Sequence, residues 1–555
     1  MIGFAMNAVA ESGESEQLKN TASRCPGSHT HRRRHQPDLE ATRFRADIVP
    51  GMPERPGTSR TDPIAVIDLG SNSGRVMVFE RDTSSHLRLL AGSRAPLRLV
   101  QDVDERAQLS EATMARTMEA LRDFQAIATS VGAKRIVAVA TAAMRDASNG
   151  GLFAQRVERE LGIRIETIGA LAEARYGFVG AVRGLVVSNG LLFDLGGGSM
   201  QVTRFARRRL VEAVSLPLGA LRLSEKFLES DPPTGRQIRR LRDHIQSRLA
   251  KARVGRVGSG DCLVGTGGTL RNLAKMDRQT RRYPIGRLHG YELSVDRLGE
   301  IVDRLATTRE KRRDDIPGLS SERADSIVGG AVAIQTLAEF VRAKQILVSG
   351  QGVREGIALT LLKMAVGSPE TVKEASLSSL VARFDGWRQE AASRRRGVAA
   401  ALQRALQPRA PVSVARAIDH AARVLDIGRS LDVLNRHEHV ANILLSTELT
   451  GFAHDELALA SAVVRRAGDR HADVLSLASV RDAFKRGLLD RAAIILALAD
   501  EIEARCPRGR RIAVDCEVGR NVTLSVPLLP SWLAKDLDDR FERVFGRALI
   551  IRHHI

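Results

Sequence analysis

The 555-residue chain is short of cysteine, of long apolar runs and of acidic charge. Its four cysteines are Cys25, Cys262, Cys506 and Cys516. They lie far apart except for the last pair, show no metal-ligand spacing, and fit a reducing cytoplasm. No stretch reaches the ~18 consecutive apolar residues that cross a bilayer. The N-terminus lacks the basic region, apolar run and cleavage site of a secretory leader. These absences predict a soluble, cytoplasmic protein with no membrane partner. Against 65 Asp and Glu stand 85 Lys and Arg, a formal charge of +20. That surplus favours a polyanionic partner, such as nucleic acid, an anionic membrane or condensed phosphate, and charge alone does not choose among them.

A hydrophobic content of 43% suffices for real cores, and a prior of roughly one domain per 100–200 residues predicts three or four domains. Residues 1–62 are polar, carry a His-Arg cluster from His29 to His35, and are interrupted by Pro50, Pro53 and Pro56. They read as a disordered basic tail.

The first half contains a repeat. Ile67–Phe79 (IDLGSNSGRVMVF) aligns with Phe193–Phe205 (FDLGGGSMQVTRF), matching Asp68 with Asp194, Gly70 with Gly196 and Ser73 with Ser199. Each copy is an apolar run ending in Asp, a Gly/Ser/Asn turn and an alternating second run, the pattern of a β-hairpin. Two such hairpins predict two similar α/β lobes. In the turns, Gly70, Gly74, Gly196, Gly197 and Gly198 remove side chains so that amides can approach an anion. Ser71, Asn72, Ser73 and Ser199 supply further polar donors. Asp68 and Asp194, at the strand ends, are placed to hold a hydrated Mg2+ against phosphate oxygens. One such hairpin alone reads as a Gly-rich turn whose Asp satisfies turn amides; the duplication favours a pair of phosphate cradles.

Between the copies, periodicity predicts helices over 110–130, 150–161 and 170–182, and strands at Arg135–Thr141 and Ile163–Ile168. Leu263–Met276 (LVGTGGTLRNLAKM) reads as strand, Gly-rich turn and helix start, with Gly267 and Gly268 at an anion-binding helix N-terminus. A strand at Gln345–Ser349 runs into Gly350, Gly352 and a helix bearing Arg354 and Glu355.

The motifs IDLGSNSGR (67–75), ATAAMRDASNG (140–150), AEARYGF (172–178), DLGGGS (194–199), GTGGT (265–269), RAD (323–325) and VREG (353–356) occur in that order. In this combination the chain resembles the exopolyphosphatase and guanosine pentaphosphate phosphohydrolase family. That family belongs to the superfamily of actin and the sugar kinases. The resemblance implies a two-lobed actin-like fold of duplicated ribonuclease H-like domains, with lobes at 63–185 and 186–365. It implies a magnesium-dependent exopolyphosphatase that releases orthophosphate from inorganic polyphosphate; the alternatives are a guanosine pentaphosphate phosphohydrolase or a non-catalytic sensor of such ligands. By the same resemblance Glu173 is the general base, Arg75 and Arg145 clamp phosphate, Asn72 lines the first loop, Thr141 and Ser148 support it, and the protein is a homodimer. Neither a membrane nor a sequence-specific nucleic acid is an expected partner. One departure stands out: Gln201 occupies the place where the family usually has Glu, removing a negative charge beside the metal.

Residues 375–504 are rich in Ala, Leu and Arg with amphipathic spacing, and predict an all-helical domain. The resemblance relates it to metal-dependent His-Asp phosphohydrolases. Here Leu425-Asp426 stands in place of the His-Asp pair, and His437 and His439 alone make no convincing metal centre. A structural or polymer-guiding role is therefore expected. Residues 511–555 predict a small α/β segment with a strand at Val522–Val526, a helix over 531–544 and a strand at Ala548–Ile551.

Overall fold

The structure is a computed structural model that describes residues 42–45, 60–474, 477, 486–510, 512–526 and 535–553. Strand β1 (Thr42–Arg45) pairs antiparallel with the last strand of the second hairpin and forms a sheet edge. It falls inside the segment predicted to be a disordered tail. An extended four-residue run needs only backbone partners to join an open edge, and composition does not register that. The rest of that segment up to residue 59 lies outside the described residues.

The first lobe is built on β2 (Ile64–Leu69), β3 (Ser73–Arg81), β4 (Leu87–Pro96), β5 (Arg135–Ala140) and β6 (Ile165–Thr167), in the order β4-β3-β2-β5-β6. Central β2 is buried on both faces. Ala65, Ile67 and Leu69 pack with Leu121 and Phe124 of the helix Glu111–Ser130, and Ile64 and Val66 point the other way. This is the near-continuous apolar reading of a strand covered on both sides. Ser110 caps that helix, its side chain accepting from Thr113 N.

The second lobe repeats the plan with β7 (Gly190–Leu195), β8 (Met200–Ala206), β9 (Arg209–Leu216), β10 (Cys262–Thr266), β11 (Tyr291–Ser294) and β12 (Gln345–Val348). Their order is β1-β9-β8-β7-β10-β12-β11. The duplicated hairpins match in register: Asp68 lies opposite Arg75, and Asp194 opposite Gln201. Each turn is closed the same way, by Gly70 N to Ser73 O at 3.2 Å and Gly196 N to Ser199 O at 2.9 Å.

Two helices exchange lobes. The helix Ala170–Arg183, expected with the first lobe, packs Phe178, Ala181 and Val182 against Leu192, Phe205 and Val264 of the second. The helix Val353–Leu361, expected with the second, packs Ile357, Ala358 and Leu359 against Ile64, Val66 and Phe79 of the first. Where they cross, the backbones touch. A Cβ on Gly180 would lie 1.9 Å from Gly352 O, and one on Gly356 would lie 1.8 Å from Tyr176 O. Periodicity reveals that a helix has an apolar face, not which sheet that face will cover.

Helices Pro369–Val381, Gln389–Leu406, Val412–Val424, Arg436–Ser446, His454–Gly468 and Arg486–Ala504 form the helical region. The C-terminal strands β13 (Asp515–Val518), β14 (Val522–Val526) and β15 (Leu549–His553) follow, with the helix Lys535–Phe545 between the last two. Val522, Leu524, Leu537 and Phe541 of this segment join the core of those helices. Among the described residues no helix is long and apolar enough to cross a membrane.

Candidate active site

The two hairpin turns meet face to face. A Cβ on Gly198 would lie 2.9 Å from Ser71 Oγ, and one on Gly197 would lie 3.3 Å from Asn72 Cβ. A side chain at either glycine would crowd this approach. The turn carbonyls are engaged on the outer side: Ser71 O accepts from Val100 N, Asn72 O from Leu97 N and Arg98 N, Gly196 O from Ala220 N, and Gly197 O from Leu221 N. The third loop enters beside them. Gly267 has a left-handed φ of 107° and a Cβ there would lie 2.4 Å from Leu195 O, so this turn requires glycine. The helix Gly268–Thr280 begins at that point and directs its N-terminus inward.

Glu173 sits in the first turn of its helix, half-buried. Gly177, one turn later, lets the helix pass Asp194: a Cβ at Gly177 would lie 3.5 Å from Asp194 Oδ2. The Glu173 Oε2 atom is buried without a hydrogen-bond partner. Burial first, and then the neighbouring Asp194 carboxylate, push the Glu173 carboxyl up to about 8, against the pull of Arg145. Burial likewise raises Asp194 to about 6, and raises Asp68 although Arg354 Nη1 donates to its Oδ2 at 3.1 Å.

The cations of the site are strained in the opposite sense. Burial and then the crowding of Arg354, Arg271, Arg94 and Arg323 bring Arg75 down to about 8. Arg323 falls to about 10, and Arg271 is also lowered, in both cases with burial as the main cause. The cleft thus holds carboxylates that a cation would relieve beside guanidiniums that a polyanion would relieve. Such a juxtaposition of perturbed groups marks functional sites.

Asp68, Ser71, Asn72, Ser73, Arg75, Glu173, Asp194, Gly196, Gly197, Gly198, Ser199, Gly267 and Gly268 all line one cavity of about 120 Å³, and Thr141 lines it too. Two predicted phosphate contacts are not on its wall. Gly74 is needed for packing, since a Cβ there would lie 2.8 Å from Leu97 Cδ1 and 3.2 Å from Phe124. The Arg145 guanidinium donates to Ile168 O at 3.1 Å and faces Asp146 at 3.7 Å. Ser148 also stands apart, its N donating to Ala107 O. Gln201 is buried behind the second loop, where its Nε2 donates to Ser199 Oγ at 2.9 Å.

Arg271, Thr266 and Gly352 line the cavity without having been read as site residues. Arg323 and Arg354, present in the motifs without an assigned role, also reach the wall. A signal existed for Arg271, which lies in the first turn of the helix that the GTGGT loop opens. Nothing in sequence brings the other two to the same point.

The donor set suits magnesium. Asp68 and Asp194 are hard oxygen ligands half-buried in the cleft, and the orphaned Glu173 oxygen lies beside them. Among the described residues no group of three or more His, Cys, Asp or Glu is placed to hold a metal. An ion held by one or two carboxylates, completed by water and phosphate oxygens, is the habit of magnesium.

In the helical domain, Asp426 is bound by cations. Its Oδ2 accepts from Arg395 Nη2 at 2.8 Å and its Oδ1 from Arg429 Nε at 2.8 Å. His437 is lowered to about 4 by burial.

A sequence model of the Ppx/GppA phosphatase family matches residues 77–365. The protein called Exopolyphosphatase 1 of Mycobacterium leprae is 30% identical over 305 residues, which span 54% of this chain and 89% of that one. Exopolyphosphatase 2 of Mycobacterium tuberculosis is 31% identical over 314 residues, covering 54% of this chain and 98% of its own. Among solved structures, an exopolyphosphatase from Cytophaga hutchinsonii superposes with a TM-score of 0.51 at 25% identity, covering 55% of this chain and 100% of that one. Nearly half of the present chain has no counterpart in that structure.

Proposed function

Since the chain belongs to the Ppx/GppA phosphatase family, we propose that it is an exopolyphosphatase acting on the terminal phosphoanhydride of inorganic polyphosphate. The observation that carries this reading is the meeting of Arg75, Arg271, Arg323 and Arg354 with Asp68, Asp194 and Glu173 in one cleft. Phosphoryl transfer asks a protein mainly for positioning and charge neutralisation. The amides of the Ser71–Ser73 and Gly196–Ser199 turns cradle phosphate oxygens, and the guanidiniums clamp them. Glu173, in its ionised form, orients the attacking water and takes its proton at Oε2. Asp68 and Asp194 are the residues that would hold magnesium, which when bound supplies positive charge to phosphate oxygens. A chain net charge of +20 suits a long polyanion better than a single nucleotide.

The test is orthophosphate release from long polyphosphate, tripolyphosphate and guanosine pentaphosphate, each with and without magnesium. Magnesium-dependent release from polyphosphate is the expected result. Release from guanosine pentaphosphate alone would transfer the assignment to the nucleotide, and binding of any of them without turnover would make the protein a sensor.

The metal assignment yields its own prediction. Asp194→Asn removes a charged oxygen ligand and should raise the magnesium concentration needed for half-maximal rate. Gln201 lies opposite Asp194 across the hairpin, on the same face of the sheet. Gln201→Glu therefore adds negative charge next to Asp194 and should lower that concentration. Superimposable magnesium titrations of both variants and the native protein would remove these residues from the metal site.

A further inference from the structure

The proposed role of the helical domain as a guide for long polymers makes no demand on the cleft itself. The packing says more. The segment Glu448–His454, which links two helices of that domain, rests on the second lobe where two parts of the cleft begin. Arg287, buried, donates through Nη1 to Leu449 O and through Nη2 to Phe452 O at 3.1 Å. Gly451 N donates to Gly184 O at 2.8 Å, and Gly184 is the residue that ends the Glu173 helix. His454 Nε2 donates to His289 O at 3.0 Å, while Tyr283 Oη lies 3.0 Å from its Nδ1. Burial holds both imidazoles neutral at neutral pH, His454 at about 3 and His289 at about 4.

From His289 the chain of contacts continues into the cleft. Its Nδ1 accepts from Gly350 N at 3.3 Å. Ser349 Oγ and Thr266 Oγ1 both donate to Gln351 O at 2.9 Å, and Gly352 N donates to Glu355 Oε2 at 2.7 Å. Thr266 and Gly352 line the cavity. Gln351 Nε2 reaches back to Glu448 Oε1 at 3.4 Å. The junction has no slack: a Cβ on Gly184 would lie 2.5 Å from His289 Nε2 and 3.0 Å from Gln351 Oε1. One arm of this junction is the end of the helix that carries Glu173; the other is the loop Gly350–Gly352.

We propose that the Glu448–His454 segment of the helical domain is a positioning element of the hydrolytic site, acting through His289 on the Gly350–Gly352 loop and through Gly184 on the Glu173 helix. The helical domain is then required for turnover of substrates too short to touch it. This rests on the hydrolytic reading above. A domain that only guides polymer affects long chains alone.

The experiment uses the full chain and tripolyphosphate. His289→Leu removes the Nδ1 acceptor and should lower kcat roughly tenfold to 100-fold with KM little changed, since small misplacements of reacting groups cost that much. His289→Asn, whose Oδ1 replaces Nδ1 as acceptor, should recover most of the loss. Arg287→Met should accelerate amide hydrogen exchange in residues 170–184 and 349–356. Glu448→Ala, on an exposed side chain whose loss leaves the fold intact, should act in the same direction to a smaller extent. A merely structural role predicts a lower melting temperature with unchanged kcat per folded molecule, and that result overturns the proposal. So does a loss confined to long polyphosphate, or exchange at 349–356 that stays native-like in all of these variants. If the native protein hydrolyses no polyphosphate, the functional reading fails while the exchange data still decide the positioning role.

Discussion

Glu173→Gln should lower kcat for orthophosphate release by about 100-fold or more while leaving substrate binding largely intact, the usual scale of a lost general base. The amide keeps the shape of the side chain and its place beside Asp194, but cannot accept a proton from water. The native protein carries a second signature of the same residue. With its carboxyl pushed up to about 8 by burial and by Asp194, Glu173 is mostly protonated at pH 7 in the free protein. A base works in its ionised form, so kcat/KM should rise with pH through about 8 and then level off. Asp194→Asn removes one of the charges that raise the carboxyl, and should move the rise to lower pH. In Glu173→Gln the rise should vanish from the residual rate. A pH profile that is flat between 6 and 9 in the native protein, or unchanged turnover in the variant, takes Glu173 out of the base role.

Arg395→Met should destabilise the helical domain by about 3–5 kcal/mol, the cost of breaking a buried ion network by removing one partner. Arg395 is fully buried. It donates to Asp500 Oδ1 and Asp426 Oδ2 at 2.8 Å each and approaches Glu503 Oε2 at 3.4 Å. Arg436 joins Asp500 and Arg394 joins Glu503 at the rim. Burial alone would raise the Asp426 carboxyl, yet Arg395 and Arg429 hold it below the usual aspartate range. The sign follows. A depressed carboxyl contributes stability above its unfolded value, and that contribution is lost as pH falls through the folded value. Native melting should therefore drop in acid. In Arg395→Met the remaining carboxylates lack their central cation, so mild acidification should raise melting relative to neutral pH. For a unit of this size the neutral-pH loss amounts to roughly 6–20 °C in the transition that reports the helical domain. A thermal shift under a few degrees, with the same pH trend in both proteins, would show that the network contributes little.

That network includes Asp426, and the sequence did not reveal it. Arg395 lies 31 residues from Asp426 and 105 from Asp500, and an arginine in an amphipathic helix ordinarily reads as a solvated one. Only helix packing turned it inward and gave it three carboxylates.

Legibility followed the range of the interaction. Three helices and two strands between the hairpins were readable within a residue or two, because 3.6-residue and two-residue periodicities are local properties. The strand Leu87–Pro96 and the helix Leu99–Arg106 were missed although neither is short, and the helix Ala142–Asp146 and β13 were missed because they are too short for either period to show. Most of the candidate site was readable for the same reason. Asp, Gly and Ser within one turn dictate a tight hairpin and an anion nest wherever they fold. Gly74 and Arg145 have structural roles off the cavity wall, the glycine in packing and the arginine at Ile168 O.

The sequence by itself therefore determined two duplicated hairpins, their Asp-bearing turns and the α/β class, all of which depend on backbone conformation over a dozen residues. The tertiary structure alone decided how those pieces meet. It crossed the Glu173 helix with the Val353–Leu361 helix at glycines, and set Arg354 against Asp68 across 286 residues of chain. It also brought Arg271 and Arg323 to the same wall and seated the helical domain on His289. The physical reason is that local patterns specify what each segment can bury or bind. Which distant partner satisfies it is settled by close packing, and by the cost of leaving a buried charge or amide unpaired.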